Sequence, residues 1–266
     1  MSIKSLMNYT FVSKYARWDE QKERRETWSE SVDRVKQMMC DKYIYDPTDQ
    51  ESQHKNKQII KAIDQAYEDM KKKKILGSQR ALQFGGSPVF KHNSRIYNCI
   101  ASYIDRTRFF QECMYLLLCG CGTGFSVQKH HIAKLPNLIK GKNGQKKFVI
   151  QDSIEGWSDA VGVLVSSYFK GDNLFPEYNG KTVVFDYSEI RPAGSYLKSS
   201  GGKAPGPEPL KKALVSIKKT FDTAIKNGQK KIKPIEAYDI VMFAADAVIS
   251  GGVRRSATIC LFSADD

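Results

Sequence analysis

The sequence has no apolar run that approaches the ~18 residues a membrane span needs. Its first residues, Met1 to Tyr9, lack the sustained apolar stretch of a secretory leader. Histidine is scarce, at four residues, and the six cysteines at 40, 99, 113, 119, 121 and 260 show no structural-zinc spacing. No internal repeat period is present. These absences argue against an integral membrane protein, a repeat array and a disulfide-stapled secreted domain. They lead to the expectation of a cytoplasmic protein with reduced thiols and no bound metal ion.

What is present is an ordinary globular composition, 41% hydrophobic and 27% charged, in a chain of 266 residues long enough to bury a sizeable core. The net charge is +13, so the time-averaged field attracts anions. Lysines sit in short runs, at 71–74, 140–147, 211–219 and 226–233, without the interleaved aromatics of a nucleic-acid platform. A solvated basic surface is therefore expected, and nucleic acid is not expected as a partner.

Apolar residues at helical spacing, Trp28, Val32, Val35 and Met39, predict a helix within 18–40. Ile59, Ile63, Tyr67 and Met70 predict a second over 56–74, after a polar connector at 46–57. The stretch 97–104 is short, apolar and partly β-branched, and is expected to be a strand with Cys99 near its start. An apolar helix over 109–119 then runs into a glycine turn at 120–124 and a strand from Phe125 to Gln128. Residues 134–149 read as a polar, lysine-rich excursion. Asp152 and Glu155 resemble a capping box that opens a helix carrying Trp157, Val161 and Leu164. A β-branched run at 182–185 predicts a strand, Leu210 to Ile225 a helix, and Pro234 with Gly251-Gly252 brackets another over 234–249. Residues 257–262 make a last strand. Strands alternating with helices after a helical opening argue an α/β core.

Single motifs carry limited chemistry. Gly120 to Gly124 follows a helix and precedes a strand, the reverse of a dinucleotide-binding loop, so it reads as a glycine turn permitting close approach. Ser250 to Thr258 joins two glycines to Arg254 and Arg255, whose guanidinium groups suit phosphate or a base edge. Its bland alternative is a helix cap with solvated arginines. Taken alone, Cys99 is an ordinary buried thiol and Cys113 a small core hydrophobe.

In order and spacing, several stretches together resemble the monomeric, adenosylcobalamin-dependent ribonucleoside-triphosphate reductases, and the resemblance spans nearly the whole chain. They are Tyr15-Ala-Arg-Trp18, Arg24-Arg-Glu-Thr-Trp28, Ser31-Val-Asp-Arg34, Arg80-Ala-Leu-Gln-Phe84, Asn98-Cys99, Gly122-Thr-Gly-Phe-Ser-Val127, Asp152 to Trp157, Arg191-Pro-Ala-Gly-Ser195, Gly201 to Leu210 and Gly251 to Thr258.

The resemblance implies an α/β fold: a helical N-terminal region over 1–76, then over 77–266 the first half of a reductase-type barrel with an inserted effector-binding region at about 130–190. It implies that Cys99 is one of two reducing cysteines, and that Gln83, Asn98, Gly122, Gly124, Gly251, Gly252 and Arg254 line the substrate pocket. Gln128, Lys129, Arg191, Lys203 and Arg255 would contact a deoxynucleotide or ATP effector.

The radical cysteine, the second reducing cysteine and most of the adenosylcobalamin site lie later in family members. A C-terminal reductase polypeptide is therefore an expected partner, with a ribonucleoside triphosphate as substrate and a thioredoxin-like protein as reductant. Two other readings stay open: a catalytically inactive nucleotide-binding regulatory module, and a basic nucleic-acid-binding protein.

Overall fold

The computed structural model describes residues 2–44, 50–141, 143–172, 174–195, 203–249 and 257–266. The chain divides into two compact units, one built on Met1–Ile96 and one on Tyr97–Leu197 with Gly202–Asp266. The short helices after residue 77 thus belong to the first unit, whereas the sequence reading opened the barrel portion there.

The first unit contains α1 (Ile3–Lys14), a small antiparallel pair of β1 (Trp18–Asp19) and β2 (Arg24–Arg25), then α2 (Trp28–Tyr43), α3 (Gln50–Lys71), α4 (Gln79–Phe84) and α5 (Ser87–Lys91). Residues 18–25 are therefore a ribbon and not the start of a helix. The helix begins only where Thr27 and Glu30 close a reciprocal capping box, each side chain bonding the other's backbone N–H. Trp28 donates its indole N–H to the carbonyls of Met70 and Lys71 at 3.2 Å, tying α2 to the end of α3. Val32, Val35, Met38, Met70, Leu82, Phe84 and Val89 form the core of this unit.

The second unit contains β3 (Cys99–Tyr103), α6 (Arg108–Leu118), β4 (Gly122–Ser126), α7 (Lys129–Ile132), β5 (Gln145–Val149), α8 (Ile154–Ser166), β6 (Thr182–Asp186), α9 (Glu208–Lys226), α10 (Pro234–Ile249) and β7 (Thr258–Leu261). Helix α9 packs on α10, α6 on α8, and α10 on α6. Their shared core includes Phe109, Phe110, Met114, Leu117, Val161, Leu164, Phe221, Ile240 and Val241.

β3, β4 and β7 form a parallel sheet in that order, with Cys99 opposite Gly122, Ala101 opposite Gly124, and Gly124 opposite Ile259. β5 and β6 form a separate parallel pair.

Three local readings are corrected. Gly122 and Gly124 lie within a strand and not in a turn, because β4 starts as soon as Gly120, at φ 85°, ends the helix. Residues 145–149 form a strand, since the alternation of exposed Gln145, Lys147 and Val149 with half-buried Lys146 and Phe148 fits one covered face. The cap of α8 is Ser153, which accepts from Gly156 N–H, while Asp152 is paired with Arg191.

Candidate functional site

The side chains of the three-stranded sheet alternate between two faces. Ile100 and Ser102 of β3, Thr123 and Phe125 of β4, and Thr258 and Cys260 of β7 share the less exposed one. Phe125 is fully buried there, with its ring centroid 6.0 Å from that of Phe109.

The other face carries Cys99, Ala101 and Tyr103, then Gly122 and Gly124, then Ile259 and Leu261. Ile259 is 67% exposed, Leu261 60% and the following Phe262 71%. Parallel strands usually have both faces covered, and this apolar face is open.

At the N-terminal ends of these strands Cys99 stands exposed, the one exposed cysteine of the six. Gly122 N–H donates to the Asn98 carbonyl at 2.8 Å, and Thr123 N–H to the Ala257 carbonyl at 2.9 Å. A Cβ placed on Gly122 would lie 3.7 Å from Cys99 Sγ, from the Asn98 carbonyl oxygen and from the Ala257 carbonyl oxygen. The missing side chain leaves the floor beside the thiol open.

Asn98, Cys99, Gly122 and Gly124 are therefore brought together. Gly251, Gly252, Arg254 and Arg255 lie outside the described residues. The segment that holds them connects the end of α10 to Ala257, whose carbonyl adjoins the Gly122 position. Gln83 sits in the first unit, buried on α4, where its carbonyl accepts from Arg17 Nε at 3.2 Å.

Cys113, Cys260 and Cys121 are poor candidates for redox chemistry. Burial pushes the Cys113 thiol up to about 12, which keeps it protonated. Burial also raises Cys260, on the opposite face of β7 from Ile259. Cys121 is buried and directs its thiol at the Tyr97 carbonyl, 3.4 Å away.

A second polar group gathers at the C-terminal ends of the same strands, where open parallel sheets commonly bind ligands. Ser126 Oγ lies 3.0 Å from His131 Nδ1 and accepts from Gln128 N–H at 3.2 Å. Gln128 Nε2 donates to Ser263 Oγ at 2.8 Å, and Lys129 N–H to Asp266 at 2.9 Å. The His131 ring stacks on Tyr103 with centroids 4.6 Å apart, and Lys134 Nζ stands 6.0 Å from the Tyr103 centroid. Partial burial, then the neighbouring charges of His130 and Lys134, lower the His131 pKa and favour its neutral form.

Gln128 and Lys129 are thus placed together with Tyr103, Ser126 and His131, which sequence reasoning missed. The alternation from Cys99 through Ala101 to Tyr103 was the available signal for Tyr103. Arg191 is engaged with Asp152, at 2.5 Å. Lys203 is exposed, next to Ala204, which exchanges backbone hydrogen bonds with Gly194 and Ser195. Among the described residues no group of His, Cys, Asp and Glu could hold a metal ion, and no helix is long and apolar enough to cross a membrane.

Residues 129–221 match the family described as B12-dependent ribonucleotide reductase, insertion domain. The adenosylcobalamin-dependent ribonucleoside-triphosphate reductase of Lactobacillus gasseri is 26% identical over 97% of this chain and 41% of its own length. A putative reductase of the same description from Mycobacterium phage D29 is 26% identical over 89% of this chain and 37% of its own length. That of Lacticaseibacillus paracasei is 31% identical over 56% of this chain and 24% of its own length.

The crystal structure of a B12-dependent (class II) ribonucleotide reductase superposes with a TM-score of 0.80 at 23% identity, covering 97% of this chain and 42% of that one. The α/β fold is that of part of such an enzyme. The chain spans about two fifths of the length of the curated relatives it matches along nearly all of its own, and this partial coverage fits their N-terminal half.

Proposed function

We infer that this chain belongs to the adenosylcobalamin-dependent ribonucleotide reductases and supplies their N-terminal part, with Cys99 as a reducing cysteine. The observation that carries this reading is the exposed Cys99 thiol beside Gly122, on the open face of a parallel sheet whose fold matches a class II reductase over nearly the whole chain. Reduction of a ribonucleotide at the 2′ carbon replaces C–OH by C–H and releases water. The two electrons come from two thiols that end as a disulfide, and a thioredoxin-like dithiol restores them by exchange. Cys99 would be one of the two.

The open sheet face then receives the remaining strands, supplied by a C-terminal reductase polypeptide, and the apolar side chains of Ile259, Leu261 and Phe262 become interior. Asn98 and the Gly122–Gly124 strand would border a ribonucleoside triphosphate at the Cys99 end. Arg254 is proposed to contact the same substrate. Gln128 and Lys129 would meet a deoxynucleotide or ATP effector at the opposite end of the strands, together with Arg191, Lys203 and Arg255. A loop with alternative conformations between the two sites would couple effector to substrate choice.

Adenosylcobalamin supplies, when bound, the radical that starts the reaction. Its seat is proposed to lie mainly in the C-terminal portion that family members carry, and no step of this chain's chemistry is routed through it.

The test is reconstitution of this chain with the matching C-terminal reductase polypeptide, adenosylcobalamin and a dithiol reductant. Deoxynucleotide formation that stops after Cys99→Ser is expected. Nucleotide binding without turnover, unaffected by that substitution, would instead identify a regulatory module.

A further inference from the structure

Among the described residues, no further strand pairs with the outer edge of β6 in the sheet β5–β6. In the parallel pairing Thr182 N–H donates to the Gly144 carbonyl and Ile150 N–H to the Asp186 carbonyl, so residues 182, 184 and 186 direct their backbone groups at β5. The backbone N–H and C=O groups of Val183 and Phe185 consequently point the other way, along the free side of β6. A groove of about 280 Å³ is lined by Val183, Phe185 and Tyr187 from this strand and its continuation.

One wall of the groove is β6 and its continuation to Tyr187, and the other is the face of α9 carrying Leu214, Val215 and Lys218. Tyr168 of α8's C-terminal extension makes the floor; its hydroxyl donates to Asp222 at 2.6 Å and its ring stacks on Phe221 at 4.6 Å. Two apolar side chains near this edge are left in solvent, Val184 at 45% exposure and Val215 at 62%.

The wall between a free strand edge and a helix is the geometry in which an extended peptide adds a strand, its main chain bonding the edge and its alternate side chains entering the groove. Charge selects the kind of peptide. Lys181, Lys211 and Lys218 line the groove; Lys218 pairs with Asp222 at 2.6 Å, Lys211 with Glu208 at 3.6 Å, and Lys181 Nζ donates to the Asn143 carbonyl, so three cations face two carboxylates and the balance stays positive. The same lysines oppose pairing of this edge with a second copy of the chain, because like charges would meet across the new strand.

We propose that the groove between β6 and α9 is a docking site for an extended acidic peptide segment of a protein partner, which adds as a third strand alongside Val183 and Phe185.

The probe is an acetylated, amidated nonapeptide of alternating glutamate and valine, labelled for fluorescence anisotropy against the purified chain, with a lysine–valine peptide as the comparison. The glutamate peptide is expected to bind with an affinity that falls as salt rises, and the lysine peptide to bind at least about tenfold more weakly.

Val183→Pro removes an edge N–H that β5 does not use and places a ring where the added strand would lie, so the fold should persist and affinity should fall about tenfold. Hydrogen exchange is read in parallel on the unsubstituted chain: the Val183 and Phe185 amides gain protection on peptide addition. Absence of that protection, equal binding of both peptides, or self-association of the chain through this edge would each overturn the proposal.

Discussion

Replacing Gly122 tests the geometry around Cys99 in a way that separates stability from access. Gly122 is extended and has no positive φ, so an alanine there is conformationally allowed. Its Cβ would meet three neighbours at 3.7 Å, ordinary van der Waals contact and not overlap. Removing the freedom of a glycine from the unfolded chain is worth about 0.4–1 kcal/mol, so Gly122→Ala should leave stability unchanged or raise it slightly.

Gly122→Val extends two methyl groups a further ~1.5 Å from that Cβ, about one carbon–carbon bond. From 3.7 Å, at least one methyl reaches contact with the Cys99 sulfur and lies over the face from which a reagent approaches. A block that raises the barrier to attack by about 1.4 kcal/mol slows the reaction tenfold.

The assay is stopped-flow reaction with an aromatic disulfide reagent, the fast phase being assigned by its loss in Cys99→Ser, with thermal unfolding measured on the same proteins. The expected result is a Gly122→Val chain of near-normal Tm whose fast phase is slowed at least about tenfold. An unchanged fast phase at unchanged Tm would show that Cys99 does not share an open face with Gly122, and the placement of the reducing thiol would fall with it.

Other outcomes follow from the packing. Phe125→Ala removes a fully buried ring between the sheet and α6 and should destabilise the chain by about 3–5 kcal/mol in urea unfolding, a larger effect than any surface substitution. Thr27→Ala opens the capping box of α2 and should cost about 1 kcal/mol, read as a lower urea midpoint at unchanged slope.

Burial would raise the Glu26 pKa, but hydrogen bonds and charge from Arg34, at 2.6 Å, hold it below the ordinary value. A depressed folded pKa gives stability that is present above the unfolded carboxylate range and lost as pH falls through the folded value. Glu26→Gln should therefore be less stable than the parent chain at neutral pH, with the gap closing on acidification below about pH 4 in a pH series of urea melts.

Much of the second unit was readable from periodicity because its helices bury continuous apolar faces: α10 begins at Pro234 as the proline-start rule requires, and β3 lies within the apolar run at 97–104. The misreadings occur where local pattern and tertiary context diverge. Trp18 and Arg25 pair across a ribbon whose short strands carry too few residues to show a period of two. β5 is lysine-rich, and becomes a strand because Phe148 packs edge-on against Tyr178 and Phe185. The glycines of β4 look like a turn in sequence, yet they serve as the bare floor of a strand beside Cys99, a role that exists only once β3 is aligned with them.

The chemistry was legible chiefly through the ordered set of motifs and their resemblance to a family. Composition alone made Cys99 unremarkable, since exposure of a thiol depends on which face of a strand it takes. The cluster of Tyr103, Ser126 and His131 was not legible, because it joins residues separated along the chain through the C-terminal ends of adjacent strands.

The uncovered sheet face also governs how the isolated chain behaves as a colloid. Ile259 and Leu261 would pair readily with the same face of another molecule, and a net charge of +13 is what holds such molecules apart. At an ionic strength of about 0.15 M that repulsion reaches only ~8 Å, and at 1 M about 3 Å. Concentrated salt should therefore precipitate the chain, and dilute buffer should keep it dispersed.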